Sequence, residues 1–70
     1  MKKIKFAIAG LGRIGKIHLE NLQLMDEVEV VAATDTHADG RQYAEKKGID
    51  RVFSSYEQMI KDSPIDAVVI

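Results

Sequence analysis

Three glycines near the start of the chain have the spacing that a phosphate-binding turn requires. They form a G-x-G-x-x-G pattern in the segment GLGRIG, residues 10–15. In such a turn the first glycine leaves the preceding strand, the second lets the backbone approach a pyrophosphate, and the third lets the next helix pack closely. The first N–H groups of that helix then point at the phosphates, and the helix dipole adds to the attraction. We predict a pyrophosphate site formed by Gly10, Gly12, Arg13, Ile14 and Gly15, in which Arg13 and Ile14 donate through their backbone N–H groups.

The position of this turn in the chain decides how informative the pattern is. On its own, a glycine-rich turn is as compatible with no ligand as with a bound one. Here it follows an apolar run typical of a strand, Ile4–Ala9, and it precedes a segment with helical periodicity. A strand, this turn and a helix within one βαβ unit are the context in which the pattern binds dinucleotides. The sequence therefore favours a dinucleotide ligand.

An acidic residue, Asp35, stands twenty residues after Gly15, close to the spacing expected for a residue that binds the adenosine ribose. Its carboxylate can accept hydrogen bonds from the ribose hydroxyls and would repel a 2′-phosphate, so it favours NAD over NADP. The alternative is that Asp35 caps the following helix, although Thr36 could take that role. Arg41 could accept a 2′-phosphate, but we expect it to be a solvated helix residue.

The elements that must position these residues alternate along the chain as β-α-β-α-β-α-β. Helical crossovers join parallel strands and are almost always right-handed. We therefore predict an α/β fold, a Rossmann-type parallel sheet with strand order 3-2-1-4, helices on both faces, and truncation after the fourth strand. The predicted strands are Ile4–Ala9, Val28–Ala33, Val52–Phe53 and Asp66–Ile70. The predicted helices are Leu11–Met25, Ala38–Lys47 with an unfavourable Gly40, and a short one opened by Ser55 and ending near Asp62–Pro64.

Several side chains along these helices have expected roles. The first helix should bury the side that carries Ile14, Ile17, Leu22, Leu24 and Met25. His18 is expected to pack or to form a hydrogen bond rather than to act in catalysis. Tyr43 and Tyr56 could line the adenine end of a dinucleotide, but surface packing explains them equally well. We expect His37 to be a solvated loop residue.

Composition excludes several classes of function. The 70 residues contain no cysteine, which rules out disulfides, zinc–thiolate sites and thiol nucleophiles. The net charge is −1, so the sequence predicts no surface for nucleic acid. No apolar run approaches the roughly 18 residues of a membrane span, and the run from Ile4 to Ala9 is too short for a signal-peptide core. A cytoplasmic protein without nucleic-acid or membrane partners is the expectation.

The residues also carry a resemblance to a known family. The segment KIKFAIAGLGRIGKIHLENL, residues 3–22, resembles the opening of the glucose–fructose oxidoreductase and inositol dehydrogenase (Gfo/Idh/MocA) family, and VVAATD, AEKKGI, VFSSYEQMI and DAVVI agree. The resemblance covers essentially the whole chain. It implies an NAD(P)-dependent oxidoreductase that transfers hydride to or from a sugar, cyclitol or related polyol. It also implies an N-terminal Rossmann domain, a C-terminal α+β domain, and a catalytic lysine and histidine that lie beyond this segment.

This resemblance sets what the chain is expected to contain. The residues carried over from the family are Gly10, Gly12, Arg13, Ile14, Gly15 and Asp35, and no catalytic residue is assigned. Residues 1–70 are expected to be a partial NAD(P)-binding domain without the substrate domain, and to form a homo-oligomer through the exposed strand edge at Ala67–Ile70. A nucleotide-binding or interaction module without catalysis is the alternative. A methyltransferase is a third possibility, which the full glycine pattern disfavours.

Overall fold

Four strands and three helices follow one another along residues 3–70, the part of the chain that this computed structural model describes. All seven predicted elements are present, and their ends differ from the prediction by a few residues at most. The strands are β1 (Ile4–Ala9), β2 (Val28–Thr34), β3 (Arg51–Phe53) and β4 (Ala67–Val69). The helices are α1 (Arg13–Gln23), α2 (Ala38–Lys46) and α3 (Tyr56–Asp62).

The sheet is parallel throughout, with strand order β3-β2-β1-β4, so the predicted fold class and order are confirmed. The chain moves outward from β1 through β2 to β3 and then crosses back to the far side of β1. Because right-handed crossovers in opposite directions place their helices on opposite faces, α1 and α2 cover one face and α3 covers the other. The carboxyl ends of β1 and β2 therefore meet at one edge of the sheet, with the turns that follow them side by side.

Each face of the sheet has its own core. The larger one lies under α1 and α2 and is formed by Ile8, Leu11, Leu19, Leu22, Ala33, Ala44 and Ile49. The smaller one lies under α3 and consists of Ala7, Ala32 and Met59, with partly buried residues around them. Burying one leucine- or methionine-sized side chain contributes about 1.5–3 kcal/mol. Leu19 and Met59 are fully buried, so each is a principal anchor of its helix on the sheet.

A bulge in β2 changes which face of the sheet its side chains point to. Phe6 pairs with Val30, but the next residue, Ala7, pairs with Ala32, so Val31 is an extra residue in β2. An extra residue shifts the alternation of side chains between the two faces. As a result Val30 contributes to the core under α1 and α2, while Val31 and Ala32 both contribute to the core under α3.

The face that α1 buries differs from the prediction. Leu19 and Leu22 are its buried residues, whereas the predicted set is exposed except for Leu22: Ile14 is 63% exposed, and Ile17, Leu24 and Met25 are exposed as well. The rotation of α1 is set by Gly15, which lies directly against Gly10 at the end of β1. Gly15, Leu19 and Leu22 are spaced i, i+4 and i+7, so fixing the glycine on the strand turns both leucines inward. Leu24 and Met25 follow the end of the helix.

Candidate nucleotide-binding site

The glycine turn lies where the sequence placed it, between β1 and α1. Gly10 has a φ of +96°, in the left-handed region that favours glycine, and its N–H donates to the Thr34 carbonyl oxygen at 2.9 Å. Gly12 is the N-cap of α1, with a φ of −74°. The chain thus reverses out of the sheet within three residues, and α1 begins at the carboxyl end of β1.

Gly15 brings α1 against the backbone of that turn. A Cβ at this position would overlap the Gly10 carbonyl oxygen and would lie 2.9 Å from the Gly10 carbonyl carbon. Both atoms belong to the main chain and cannot rotate aside as a side chain can. This contact requires glycine and fixes how closely the start of the helix approaches the strand.

The start of α1 leaves backbone N–H groups available to a ligand. No side chain caps the helix among the residues that the structure describes, and its first turn contains no acidic residue. The Lys16 N–H donates to the Gly12 carbonyl oxygen at 3.0 Å, so the N–H groups of Arg13, Ile14 and Gly15 precede the first bond within the helix. A Cβ on Gly12 would meet no atom within 4 Å. The turn therefore presents free donors beside an open space, an arrangement suited to an anion.

The Asp35 carboxylate lies beside this turn and is bound to it. One oxygen, Oδ2, accepts a hydrogen bond from the Leu11 N–H at 2.8 Å, and Oδ1 accepts one from the His37 N–H at 2.8 Å. The side chain is only 11% exposed. The hydrogen bond from the His37 backbone lowers the pKa of Asp35 below its usual value, the Leu11 N–H and the His37 side chain act in the same direction, and burial opposes them. The group is an anion whose two oxygens join the β1–α1 and β2–α2 turns.

The capping alternatives for Asp35 and Thr36 are wrong. The N-cap of α2 is His37, and no side chain caps that helix. The Asp35 bond to the N–H two residues later is an Asx-type turn ahead of the helix. The Thr36 hydroxyl lies 3.3 Å from His37 Nδ1 and does not cap α2.

Two residues of α2 hold the region around Asp35, and neither role was predicted from the sequence. A Cβ on Gly40 would overlap Asp35 Oδ2 and would lie 2.7 Å from its Cγ, so glycine leaves the carboxylate its space. Arg41 Nη1 donates to the Asp35 carbonyl oxygen at 2.8 Å and is partly buried. The expectation that Arg41 is simply a solvated helix residue is therefore wrong. A glycine in the first turn of the helix that follows an acidic residue was the available signal.

The two tyrosines considered near adenine lie in different places. Tyr43 donates its hydroxyl to Glu20 Oε2 at 2.6 Å, and the Lys16 and Lys47 ammonium groups lie 5.1 and 5.5 Å from its ring centre. This places it between α1 and α2. His37 and His18 are exposed. Tyr56 instead lines a cavity of about 230 Å³ at the carboxyl ends of the strands, together with Ala9, Gly10, Thr34, Asp35, Thr36 and Ser54.

Two features are absent from residues 3–70. None of the helices there is both long enough and apolar enough to cross a bilayer. Over the same residues, no group of three or more histidine, aspartate or glutamate side chains could hold a metal ion. A cytoplasmic location stays a prediction.

Comparison with known proteins relates the chain to a family of oxidoreductases. Residues 4–70 match a family model described as an oxidoreductase family with an NAD-binding Rossmann fold. Myo-inositol 2-dehydrogenase from Thermotoga maritima is 35% identical over 68 residues, which cover 96% of this chain and 20% of that protein. The chain thus spans about a fifth of the length of that curated relative.

Solved structures agree with this relationship. Scyllo-inositol dehydrogenase from Lactobacillus casei with bound cofactor NAD(H) and scyllo-inositol superposes with a TM-score of 0.93 at 38% identity, covering 99% of this chain and 21% of that one. The WlbA dehydrogenase from Bordetella pertussis in complex with NADH and UDP-GlcNAcA gives 0.89 at 37% identity, covering 99% and 20%. Both similarities extend over nearly every residue of the present chain.

Proposed function

Because the chain belongs to the glucose–fructose oxidoreductase and inositol dehydrogenase (Gfo/Idh/MocA) family, we propose that it is the NAD(H)-binding part of a dehydrogenase that acts on a sugar, cyclitol or related polyol. The family resemblance inferred from the sequence is confirmed. The names of the inositol dehydrogenase relatives support the substrate class. Residues 1–70 then form part of the NAD(P)-binding domain, and the groups that bind substrate and transfer its proton lie outside them. No catalytic residue is proposed within this chain.

In this proposal the cofactor pyrophosphate lies at the start of α1. The N–H groups of Arg13, Ile14 and Gly15 donate to its oxygens, and the helix N-terminus adds roughly half a positive elementary charge. The open position at Gly12 lets the main chain approach the phosphates without a side chain between them. That open space beside unbonded N–H groups is the observation that carries the proposal. Bound NAD supplies the hydride acceptor, and the residues of this chain hold and orient it.

The adenosine ribose lies at Asp35. An ionised carboxylate has about four lone-pair sites, and the Leu11 and His37 N–H groups use two of them. The two remaining sites suit the two neighbouring hydroxyls of a ribose. A 2′-phosphate would instead bring a second anion beside the carboxylate, which favours NAD over NADP.

Replacing Gly12 with alanine tests this function directly. The backbone there has an ordinary φ of −74°, and the added methyl group meets no protein atom within 4 Å. Alanine is a poorer N-cap than glycine, which destabilises the fold, but it also restricts the unfolded chain, which stabilises the fold. The free energy of unfolding should therefore change by no more than about 1 kcal/mol. The methyl group would occupy the space of the pyrophosphate, and losing one charged hydrogen bond should weaken NADH binding about tenfold or more. Calorimetric titration and thermal denaturation measure the two effects.

The matched control for this experiment is Ile14→Ala. The Ile14 side chain is mostly exposed, and the residue is proposed to donate only through its backbone. This variant should bind NADH as the wild type does. Unchanged NADH affinity in Gly12→Ala, with the fold intact, would contradict the proposed phosphate site.

We also infer that the 70-residue chain forms a homo-oligomer through the outer edge of β4. Within the described sheet β4 pairs only with β1, and the adjoining Ile70 is 90% exposed. An open strand edge with apolar residues offers unpaired backbone groups to another chain. Sedimentation should therefore show a dimer or larger species that forms as concentration rises, and Ile70→Lys should return it to a monomer because an edge lysine opposes pairing. A folded wild-type monomer at high micromolar concentration is the opposing result.

A further inference from the structure

Gly40 is a glycine whose own backbone gives no reason for its residue type. It is the third residue of α2 and is buried, and it is not one of the two described glycines with a positive φ, Gly10 and Gly48. Alanine is favoured over glycine inside a helix, because glycine loses more conformational freedom on folding. The helix therefore carries a locally unfavourable residue, and such a conflict between local preference and structure is expected at functional sites.

The surroundings of Gly40 identify what requires the glycine. A Cβ there would overlap Asp35 Oδ2, and it would lie 2.7 Å from Cγ and 3.0 Å from Cβ of the same residue. Apart from the helix itself, these are the nearest atoms to such a Cβ, and all three belong to one side chain. At Gly15, by contrast, a Cβ would meet the main chain of Gly10. Gly40 thus leaves room for a single carboxylate rather than for a neighbouring backbone.

The main chain of Asp35 is held in place on two sides. Its N–H donates to the Phe53 carbonyl oxygen at 3.2 Å, and its own carbonyl oxygen accepts from Arg41 Nη1 at 2.8 Å. A methyl group at residue 40 would therefore be accommodated by rotation of the Asp35 side chain. That rotation would carry the carboxylate away from the two backbone N–H groups that bind its oxygens at 2.8 Å.

We propose that Gly40 is a positioning residue for the cofactor site. By leaving space for the Asp35 carboxylate, it fixes the orientation in which Asp35 accepts the adenosine ribose and opposes a 2′-phosphate. This role rests on the proposed NAD(H)-binding function, and it is indirect, because Gly40 acts through Asp35. The preference for NAD over NADP is then set jointly by the acidic residue after β2 and by the first turn of α2.

The orientation of the carboxylate can be tested without any cofactor. Gly40→Ala should stay folded, because alanine favours the helix, but its Asp35 carboxylate should lose hydrogen bonds that lower the pKa. That pKa should rise toward the unfolded value of about 3.9, which NMR titration of the carboxyl carbon measures. Gln42→Ala is the matched control: Gln42 is an exposed residue of the same helix, and this variant should keep the wild-type pKa of Asp35. A wild-type pKa in Gly40→Ala, or loss of its fold, would overturn the inference.

Cofactor titrations test the effect on selectivity. Gly40→Ala should bind NADH about tenfold more weakly, because hydrogen bonds to the displaced carboxylate are lost, and it should weaken NADPH binding less. In an Asp35→Asn background, which has no carboxylate to orient, adding Gly40→Ala should leave the ratio of the two affinities unchanged. Equal losses for both cofactors in the wild-type background would indicate a purely structural glycine and overturn the role. If the wild type binds neither cofactor, the proposed function fails and the role in selectivity fails with it, while the pKa comparison still reports the orientation of Asp35.

Discussion

Replacing Gly15 with alanine should lower the free energy of unfolding by about 3 kcal/mol or more and remove NADH binding with it. The new Cβ overlaps the Gly10 carbonyl oxygen and lies 2.9 Å from the carbonyl carbon. Because both obstacles are backbone, α1 has to move away from β1, and Leu19 and Leu22 lose contact with the sheet. Folded domains are stable by only about 5–15 kcal/mol, and small ones lie at the low end. This one methyl group therefore removes much of the stability, which urea unfolding followed by circular dichroism can measure.

Gly12→Ala is the matched control for this prediction. The two substitutions add the same methyl group three residues apart in one turn. Gly15→Ala should lose stability and binding together, whereas Gly12→Ala should lose binding alone. If Gly15→Ala unfolds at the wild-type urea concentration, then the close approach of α1 to Gly10 is not what fixes this helix on the sheet.

Asp35→Asn should produce the second large effect, a loss of selectivity between NADH and NADPH. The amide keeps the shape of the carboxylate but removes its charge. Its NH₂ group cannot accept a hydrogen bond, so either the Leu11 N–H or the His37 N–H loses its acceptor. Hydrogen bonds to a charged group contribute about 1.5–3 kcal/mol, so NADH affinity should fall about tenfold or more. NADPH should lose less, because the repulsion of its 2′-phosphate is also removed. Parallel calorimetric titrations give the ratio, and an unchanged ratio would contradict the ribose assignment of Asp35.

Asp35→Asn should also change how the stability of the fold depends on pH. The His37 and Leu11 N–H groups hold the pKa of Asp35 below its unfolded value in the folded chain. A depressed carboxyl pKa stabilises the fold above the unfolded value, about 3.9, and that contribution is lost as pH falls through the folded value. Wild-type stability should thus decline below about pH 4 more steeply than that of Asp35→Asn. Parallel declines in the two proteins would mean that the Asp35 carboxylate does not contribute to the dependence of stability on pH.

The order of the helices and strands could be predicted because each element has its own local sequence pattern. The apolar run before Gly10, the helical spacing after it and the second apolar run each identify an element without reference to the others. The strand order then follows once the glycine pattern identifies a Rossmann-type sheet. The rotation of α1 could not be predicted in this way. Ile14 and Leu19 are equally apolar, and only the contact of Gly15 with Gly10 selects the leucine for burial.

The candidate site, too, could be predicted from the sequence only in part. An acidic residue at position 35 is visible from its spacing after the glycines, but its bonds to Leu11 and His37 depend on how two turns meet in space. The room that Gly40 leaves for it depends on how closely α2 approaches the end of β2. The difference between Tyr43 and Tyr56 likewise arises only when α2 and α3 are placed on opposite faces of the sheet.

The bond from the Leu11 N–H to Asp35 is formed entirely within the chain, and it bears on how rigid the proposed cofactor site is. The acceptor side chain and the turn that follows β1 already hold each other in position. Immobilising a side chain on association costs about 0.5–1.5 kcal/mol, and here that entropy is lost during folding instead. Such a preorganised site admits its ligand by docking onto a rigid surface, with little rearrangement of either turn during the encounter.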